Sequence, residues 1–494
     1  MTLKARITAI DRFVKGLKED GIYTDLQAAC VMAGWDSLAG ALTPLKGAAP
    51  TNSGFLATDY DRGVGIQGDN TNKYINSNRA GNADGQNDCH VAAYVSASSN
   101  LATHRVFGNS NSGSTAGIVS VGRQSGFGVF ARLKTLAYHV HSEDPAAVGL
   151  IGVSRQDAGG YSFRCSSSTE AVDEASDGNA SGDTTLFKLG TADTVFTDNA
   201  LSFYSIGSSL GSDPATGLAA LDARVSTLMA DLRAIEETGF DRDAIAYLRA
   251  VEEADGAFLE TSVKVAINNL VSGLKAEGLW DAIGSSCLLC GPRTITGALV
   301  PLRGPAPTAQ GGWSSGDYDR SSGLTGDGNA LYLDSNVANN SDFGGTVADP
   351  QNDNHNAVYA TAIAAANGVF IASGNADVSA PGTNLLAGGA SANVFGRNRS
   401  AANTNTGSLP AAGFIAANRS VSGEYVVRNG ESETTASVAS QTPTGDNILL
   451  FRRGSGSFAY SAHTIAFYSI GSSLDLAALD SHISSYVTAI GAAI

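Results

Sequence analysis

An eight-residue string, FYSIGSSL, occupies Phe203 to Leu210 and returns unaltered at Phe467 to Leu474. Each copy follows an apolar, strand-like run and leads into an amphipathic helix, so each reads as the closing strand of a domain. Other matches keep the same order. VKGLKEDGIYTDLQAAC from Val14 to Cys30 answers VSGLKAEGLWDAIGSSC from Val271 to Cys287, and LTPLKGAAPT from Leu42 answers LVPLRGPAPT from Leu299. DYDRGVGIQGDN from Asp59 answers DYDRSSGLTGDG from Asp317, and QNDCHVAAYVSA from Gln86 answers QNDNHNAVYATA from Gln351. Self-similarity in fixed order over so long a period means two whole domains and not a solenoid. The units fall at about residues 1–235 and 258–494, joined by a charged connector. The finer division is a helical segment 1–41, a β body 42–210, a helical connector 211–298, a second β body 299–474 and a C-terminal helix 475–494.

Within each body the pattern is one of short apolar runs separated by Gly, Asn, Asp and Ser, the signature of an all-β sandwich or barrel. KYINS, CHVAAYVSA, HRVFG, AGIVSVG, FGVFARL, AVGLIGVSR, YSFRC, TTLFKLG and ALSFYSIG are such runs in unit 1. In unit 2, Asn429 and Gly430 sit between two runs and suit the positive φ values of a type I′ hairpin; unit 1 has Cys165 and Ser166 there, a poorer fit. Helical spacing appears outside the bodies. Ile7, Ile10, Val14 and Leu17 form one stripe on a helix ended by Gly21, a packing face. Leu218, Leu221, Val225, Leu228, Leu232 and Ile235, and Leu476, Leu479, Ile483, Tyr486 and Ile490, form two more. Without oppositely charged flanks these suit packing on the helix's own domain better than a coiled-coil seam. Glu236 to Asp255 reads as a solvated helical linker.

Composition narrows the partners. Charged residues are only 16% of the 494 and glycine reaches 58, so the surface is covered largely by uncharged, hydrogen-bonding groups, and a net charge of −16 with no clustered Lys and Arg argues against nucleic acid. The N-terminus lacks an apolar signal core and no stretch nears 18 apolar residues, so neither Sec secretion nor membrane insertion is expected. Five cysteines make no even framework. Cys287 and Cys290 form a lone CxxC without two further ligands, which does not make a zinc site.

The endings TDNALSFYSIGSSL and AYSAHTIAFYSIGSSLDLAALDSHI, with the earlier DRGVGIQGDNTNKYINS and DRSSGLTGDGNALYLDS, resemble concanavalin A-like, laminin G-type jelly rolls. The helix ending in GLK, the QND.H strand and the FYSIG ending are similar to modules of structural proteins from tailed bacteriophages and prophages. The resemblance implies a mostly β chain of two tandem concanavalin A-like jelly-roll β-sandwiches with flanking amphipathic helices. It also implies a virion component, a tail fibre, spike or related appendage, with a capsid decoration or head fibre protein as the alternative. A carbohydrate-binding lectin is a third reading and a polysaccharide-degrading enzyme a fourth. Expected partners are other virion proteins, a host-surface glycan and further copies of the chain in a homo-oligomer.

Candidate chemistry is sparse. A glycosidase of this fold needs two carboxylates on one strand face. Glu170, Asp173 and Glu174 do not offer that spacing, Glu431 with Glu433 lies beside a hairpin turn, and a solvated loop accounts for both. His139, His141 and Glu143 alternate and would share a strand face, but unit 2 has no equivalent and a solvated strand end is the simpler reading. Cys89 and His90 are strand neighbours, point to opposite faces and make no dyad; His90 and its counterpart His355 read as structural. Asp59, Asp61 and Asp69, matched by Asp317, Asp319 and Asp327, are the calcium candidates, although a full loop needs more oxygens than this spacing gives. Otherwise they are turn residues, and no catalytic residue, zinc or organic cofactor is expected. Trp35 and Trp280 read as core anchors.

Overall fold

A computed structural model describes residues 3–98, 104–109, 117–124, 128–142, 148–189, 194–344, 350–364, 368–373, 382–388, 393–454 and 460–494. The chain divides into Met1–Gly239 with Gly256–Thr261 (unit 1) and Phe240–Asp255 with Ser262–Ile494 (unit 2). Among the described residues no helix is long and apolar enough to cross a membrane.

Unit 1 is a sandwich of two antiparallel sheets. The first runs Ser168–Val172, Tyr161–Cys165, Gly149–Arg155, Cys89–Ala97, Ala200–Gly207, Gly65–Gln67, Tyr60–Asp61, and Leu26–Val31 pairs with the same Ala200–Gly207 strand. The second runs His139–Val140, Gly128–Leu133, Val119–Gln124, His104–Gly108, Asp183–Leu186, Tyr74–Ala80, Thr51–Ser53. Alternate residues of both sheets point inward. Val91, Ala93, Val95, Ile151 and Phe163 of the first meet Val106, Val121, Val129 and Ala131 of the second in one core.

Unit 2 repeats this order. Its second sheet runs Thr308–Gln310, Tyr332–Ala338, Asn447–Leu450, Gly368–Ser373, Thr383–Gly388, Asn393–Ser400, Thr404–Ser408, the same sequence of positions as in unit 1. Its FYSIG strand, Thr464–Gly471, lies between Ile283–Leu288 and Asn354–Ala362, as Ala200–Gly207 lies between Leu26–Val31 and Cys89–Ala97. The two FYSIG strings thus hold one sheet position, and both units are antiparallel jelly-roll sandwiches.

The helices pack against the first sheet of each unit. In unit 1, Leu3–Glu19 and Pro214–Glu236 bury Phe13, Leu17, Leu218, Leu221, Val225, Leu228 and Leu232 with Ala92, Tyr94 and Phe203 of the sheet's outer face. In unit 2, Leu476–Ala493 buries Leu479, Ile483, Tyr486 and Ile490, and Tyr486 donates to the carbonyl of Cys290 at 2.7 Å. The helical stripes after FYSIG are therefore buried within their own units, as their lack of charged flanks suggests. Helix and sheet are also tied by ion pairs at matching places, Arg164 to Asp222 at 2.7 Å and Arg428 to Asp480 at 2.8 Å.

Four expectations need correction. The stretches read as helical segments 1–41 and 211–298 each contain a strand, Leu26–Val31 and Ile283–Leu288. Their runs of Ala, Cys and Ser lack alternation because one face meets the sandwich core and the other the helices, and small residues fit that narrow space. The buried face of Leu3–Glu19 is Arg6, Ala9, Phe13, Gly16 and Leu17; Ile7 is exposed and Ile10 and Val14 half-buried. The connector is not solvated: Arg242–Asp255 buries Ala244, Tyr247, Leu248, Val251 and Glu252 within unit 2. At the hairpin, Asn429 pairs with Ser432, so Gly430 and Glu431 are the central residues and only Gly430 has positive φ (58°), the pattern of a type II′ turn. Unit 1 makes the same turn with Ser166 at φ 53°.

Candidate functional site

The residues that recur most strictly interlock inside each unit. His90 and His355 are wholly buried on the helix-facing side of their strands, opposite in direction to Cys89, which lies in the sandwich core. Nδ1 of each is 2.6 and 2.5 Å from the carbonyl oxygens of Ser208 and Ser472. A carbonyl only accepts, so Nδ1 carries the proton; Nε2 then accepts from the hydroxyls of Ser205 and Ser469 at 3.1 and 2.7 Å. Burial pushes both imidazoles down from 6.5 to about 4, so they are neutral. Asp88 and Asp353 accept the amides of Ser209 and Ser473 at 2.7 and 2.6 Å, while Gly207 and Gly471 leave room for the carbonyls of Asp25 and Ala282, each of which would stand 1.9 Å from an added Cβ. Tyr204 and Tyr468 lie beside the thiols of Cys30 and Cys287, and burial raises those thiols to about 11 and about 12. The QND.H and FYSIGSSL strings are thus two halves of one lock. All five cysteines are free and buried, and burial lifts Cys290 to about 12, which makes them poor nucleophiles.

The six candidate calcium carboxylates are spread among separate turns. Asp59 accepts from the Leu56 amide and pairs with Lys73 at 2.8 Å. Asp61 takes the amides of Gly63, Val64 and Thr261, Asp69 those of Thr71, Asn72 and Lys73, Asp319 those of Ser321 and Ser322, and Asp327 those of Asn329, Ala330 and Leu331. Asp317 accepts from Ser314. These are Asx-turn and capping contacts in which the oxygens face N–H donors, which is what turn-forming Asp does. Among the described residues no three His, Cys, Asp or Glu side chains converge as metal ligands.

Glu143 lies outside the described residues. The other two of that alternating trio, His139 and His141, both approach Glu170, at 2.8 and 3.8 Å, and Ser142 donates to the same carboxylate. Burial would raise Glu170, but the hydrogen bonds from Ser142 and His139 outweigh it and hold it at about 2. The carboxylate is therefore an ionised acceptor and not a proton donor. Glu433 is held by Arg428 at 3.1 Å.

One cluster was not found by motif reasoning. Inward residues of Gly128–Leu133 and Asn393–Ser400 leave Phe130 and Arg132, and Phe395 and Arg397, on the face of the seven-stranded sheets away from the sandwich core, where Phe395 is half-buried and the other three are nearly fully buried. In unit 1, Arg105 stands 4.7 Å over the Phe130 ring and Arg132 4.4 Å over Tyr138, which is 47% exposed. In unit 2, Leu385, Ala387, Gly388, Phe395, Asn403 and Arg453 line a pocket of about 150 Å³, and Arg397 donates to Asn403 at 2.8 Å. Planar guanidinium groups beside aromatic rings offer both a stacking surface and donors in a fixed fork. The only advance signal was Phe and Arg two apart in VFARL and VFGRN. Of the tryptophans, Trp35 and Trp313 pack against the cores, whereas Trp280 lies half-buried between Lys275 and Arg303 and lines a groove of about 540 Å³ with Asp243 and Tyr247. It is no core anchor, because the connector helix brings a polar groove to its ring.

No family model matches the chain, and no curated protein does. Among solved structures it is similar to domains LG4-5 of the mouse laminin α1 chain, at 10% identity over 86% of this chain and 92% of that one, with a TM-score of 0.24. It is similar also to domain 4 of AbnA, a GH43 extracellular arabinanase from Geobacillus stearothermophilus, in complex with arabinotriose (15% identity, 40% of this chain, 99% of that one, TM-score 0.30). A third is the CBM40 of Ruminococcus gnavus IT-sialidase bound to α2,3 sialyllactose (16%, 26% and 82%, TM-score 0.22).

Proposed function

We propose that this chain is a non-enzymatic structural component of a virion, a tail fibre, spike or related appendage, whose jelly rolls contact a surface glycan or neighbouring proteins through exposed groups of their seven-stranded sheets. The observation that carries the reading is an exposed apolar patch at the edge of the seven-stranded sheet of unit 1, where Tyr138, 47% exposed, lies against the Arg132 guanidinium beside exposed Leu136 and Val140, with a pocket of about 150 Å³ lined by Phe395 and Arg453 in unit 2. The recurring His, Ser, Asp and Gly residues serve the fold, Glu170 is held by hydrogen bonds from His139 and Ser142, and Glu433 is held by Arg428, which leaves the bodies suited to presenting a surface and not to turning over a substrate. Resemblance of both units to phage modules supplies the virion setting.

Two measurements test this. Immunogold labelling of intact particles with antibody to this chain should mark an appendage; particles that never label would overturn the virion reading. A glycan array probed with wild type and Tyr138→Ala should show binding that the substitution weakens. Release of reducing ends from a bacterial polysaccharide, abolished by one Asp or Glu substitution, would overturn the non-enzymatic reading.

A further inference from the structure

The helices Leu3–Glu19 and Thr261–Ala276 correspond in register, Val14 with Val271, which sets Ile7 opposite Lys264 and Ile10 opposite Ile267. In unit 2 the stripe Lys264, Ile267, Val271 is buried completely. What covers it is the helix Arg242–Asp255 of the same unit. Glu252 lies 3.0 Å from Lys264 Nζ, the Asp241 amide donates to Asn268 at 2.7 Å, and Asp255 accepts the amides of Arg293 and Thr294 at 2.7 and 2.9 Å just before the short helix Ile295–Ala298. Unit 1 has the same long helix and the same short one, Leu38–Ala41, capped by Ser37 as Thr294 caps its twin. Its stripe reads Ile7, Ile10, Val14, continued by Leu3; Ile7 is 56% and Leu3 60% exposed, and Ile10 and Val14 are half-buried.

We propose that this stripe of unit 1 is a docking face for an amphipathic helix of a partner protein, laid across it as Arg242–Asp255 lies in unit 2. The twin shows both the occupant's shape and the seat. Differences between the seats give the occupant's chemistry. Ile7 replaces Lys264, so the partner needs an apolar residue where Glu252 stands. Arg6 and Trp35 replace Val263 and Pro292, and Arg6 is pinned to the Gly34 carbonyl and to Asp36, so the seat is fuller and calls for a smaller residue than Tyr247. Asp36 replaces Arg293 and is already paired with Arg6 and Arg62, so the final acidic residue keeps only the backbone amides to accept and stays as Asp255. The inference stands on the comparison of twin helices and does not depend on the virion reading.

The test uses the full chain and two fluorescein-labelled synthetic peptides, residues 242–255 unmodified and the same with Tyr247→Ala and Glu252→Leu, followed by fluorescence anisotropy. The redesigned peptide is expected to bind at least tenfold tighter than the unmodified one. Ile7→Asp in the full chain is expected to weaken it tenfold or more without moving the thermal melt, since Ile7 faces solvent. Equal affinity of the two peptides, no binding of either, or binding indifferent to Ile7→Asp overturns the proposal. Sedimentation showing a wild-type oligomer that Ile7→Asp dissociates overturns the partner assignment in favour of a second copy.

Discussion

Acidification from pH 7.5 to 5.0 should destabilise both units, and the cause is the buried histidines. His90 in unit 1 and His355 and His463 in unit 2 are each lowered from 6.5 to about 4, with burial the main cause. The unfolded chain therefore binds protons that the folded chain refuses. The associated stability is complete above pH 6.5 and is lost as pH falls from 6.5 toward 4. Each histidine is worth about 3 kcal/mol over the whole window, of which about 2 kcal/mol is gone by pH 5.0. The matched pair His90 and His355 should then withdraw about 2 kcal/mol each from their own units. Opposing this, Asp61 and Asp255, one in each unit, are raised, mainly by burial, and gain from acid. Glu170 and Asp69, both held at about 2, withdraw stability only as pH falls below about 4.5 toward 2, outside this window. Urea unfolding at several pH values would measure the slope, and His355→Asn, whose amide can still donate to the Ser472 carbonyl, should reduce it by one proton. An unfolding free energy flat between pH 7.5 and 5.0, or imidazole proton resonances of His90 and His355 that titrate near 6.5 in the folded protein, would refute the reasoning.

Ser166→Gly should stabilise unit 1 by about 0.5 kcal/mol, because a residue at φ 53° is strained with a Cβ and the lost Ser166 bond to the Val148 carbonyl is a half-exposed one; a lower urea midpoint counts against it. Gly207→Ala should cost more than about 3 kcal/mol or abolish folding, since the new methyl meets the Asp25 carbonyl; a soluble variant with unchanged melting would show that the lock is slack. Arg419→Met should cost about 3–5 kcal/mol, because the buried guanidinium serves the carbonyls of Asn398, Val421, Ser422, Glu424 and Val438 and its removal strands them; thermal melting reads this directly. Leu228→Asp should lower the melting temperature without changing the mass in sedimentation, because Leu228 is buried against its own unit; a change in mass at unchanged melting would place the stripe in an interchain seam.

Strand positions were legible wherever strands alternate or carry branched and aromatic residues: CHVAAYVSA, HRVFG, YSFRC and ALSFYSIG are strands from end to end. Leu26–Val31 and Ile283–Leu288 were illegible because small residues buried on both faces carry neither signal. The lock was legible only as repetition, since the bond from His90 to Ser208 spans more than a hundred residues and no local pattern announces it. The arginine and aromatic cluster depends on which way a strand faces, and Phe130 becomes an outward residue only once Val129 and Ala131 are seen to fill the core.

The FYSIG strand is the last strand made in each unit, yet it lies in the middle of its sheet, between Leu26–Val31 and Cys89–Ala97 in the first. Until it arrives, each sandwich has a strand-wide slot, and the plugs for the two slots are identical over eight residues. Synthesis from the N-terminus fills the first slot before the second plug exists. Dilution from denaturant frees both plugs at once, and a plug seated in the wrong slot satisfies the same histidine, aspartate and glycine contacts as the right one. The order in which the ribosome releases this chain is therefore part of what keeps its two halves from trading strands.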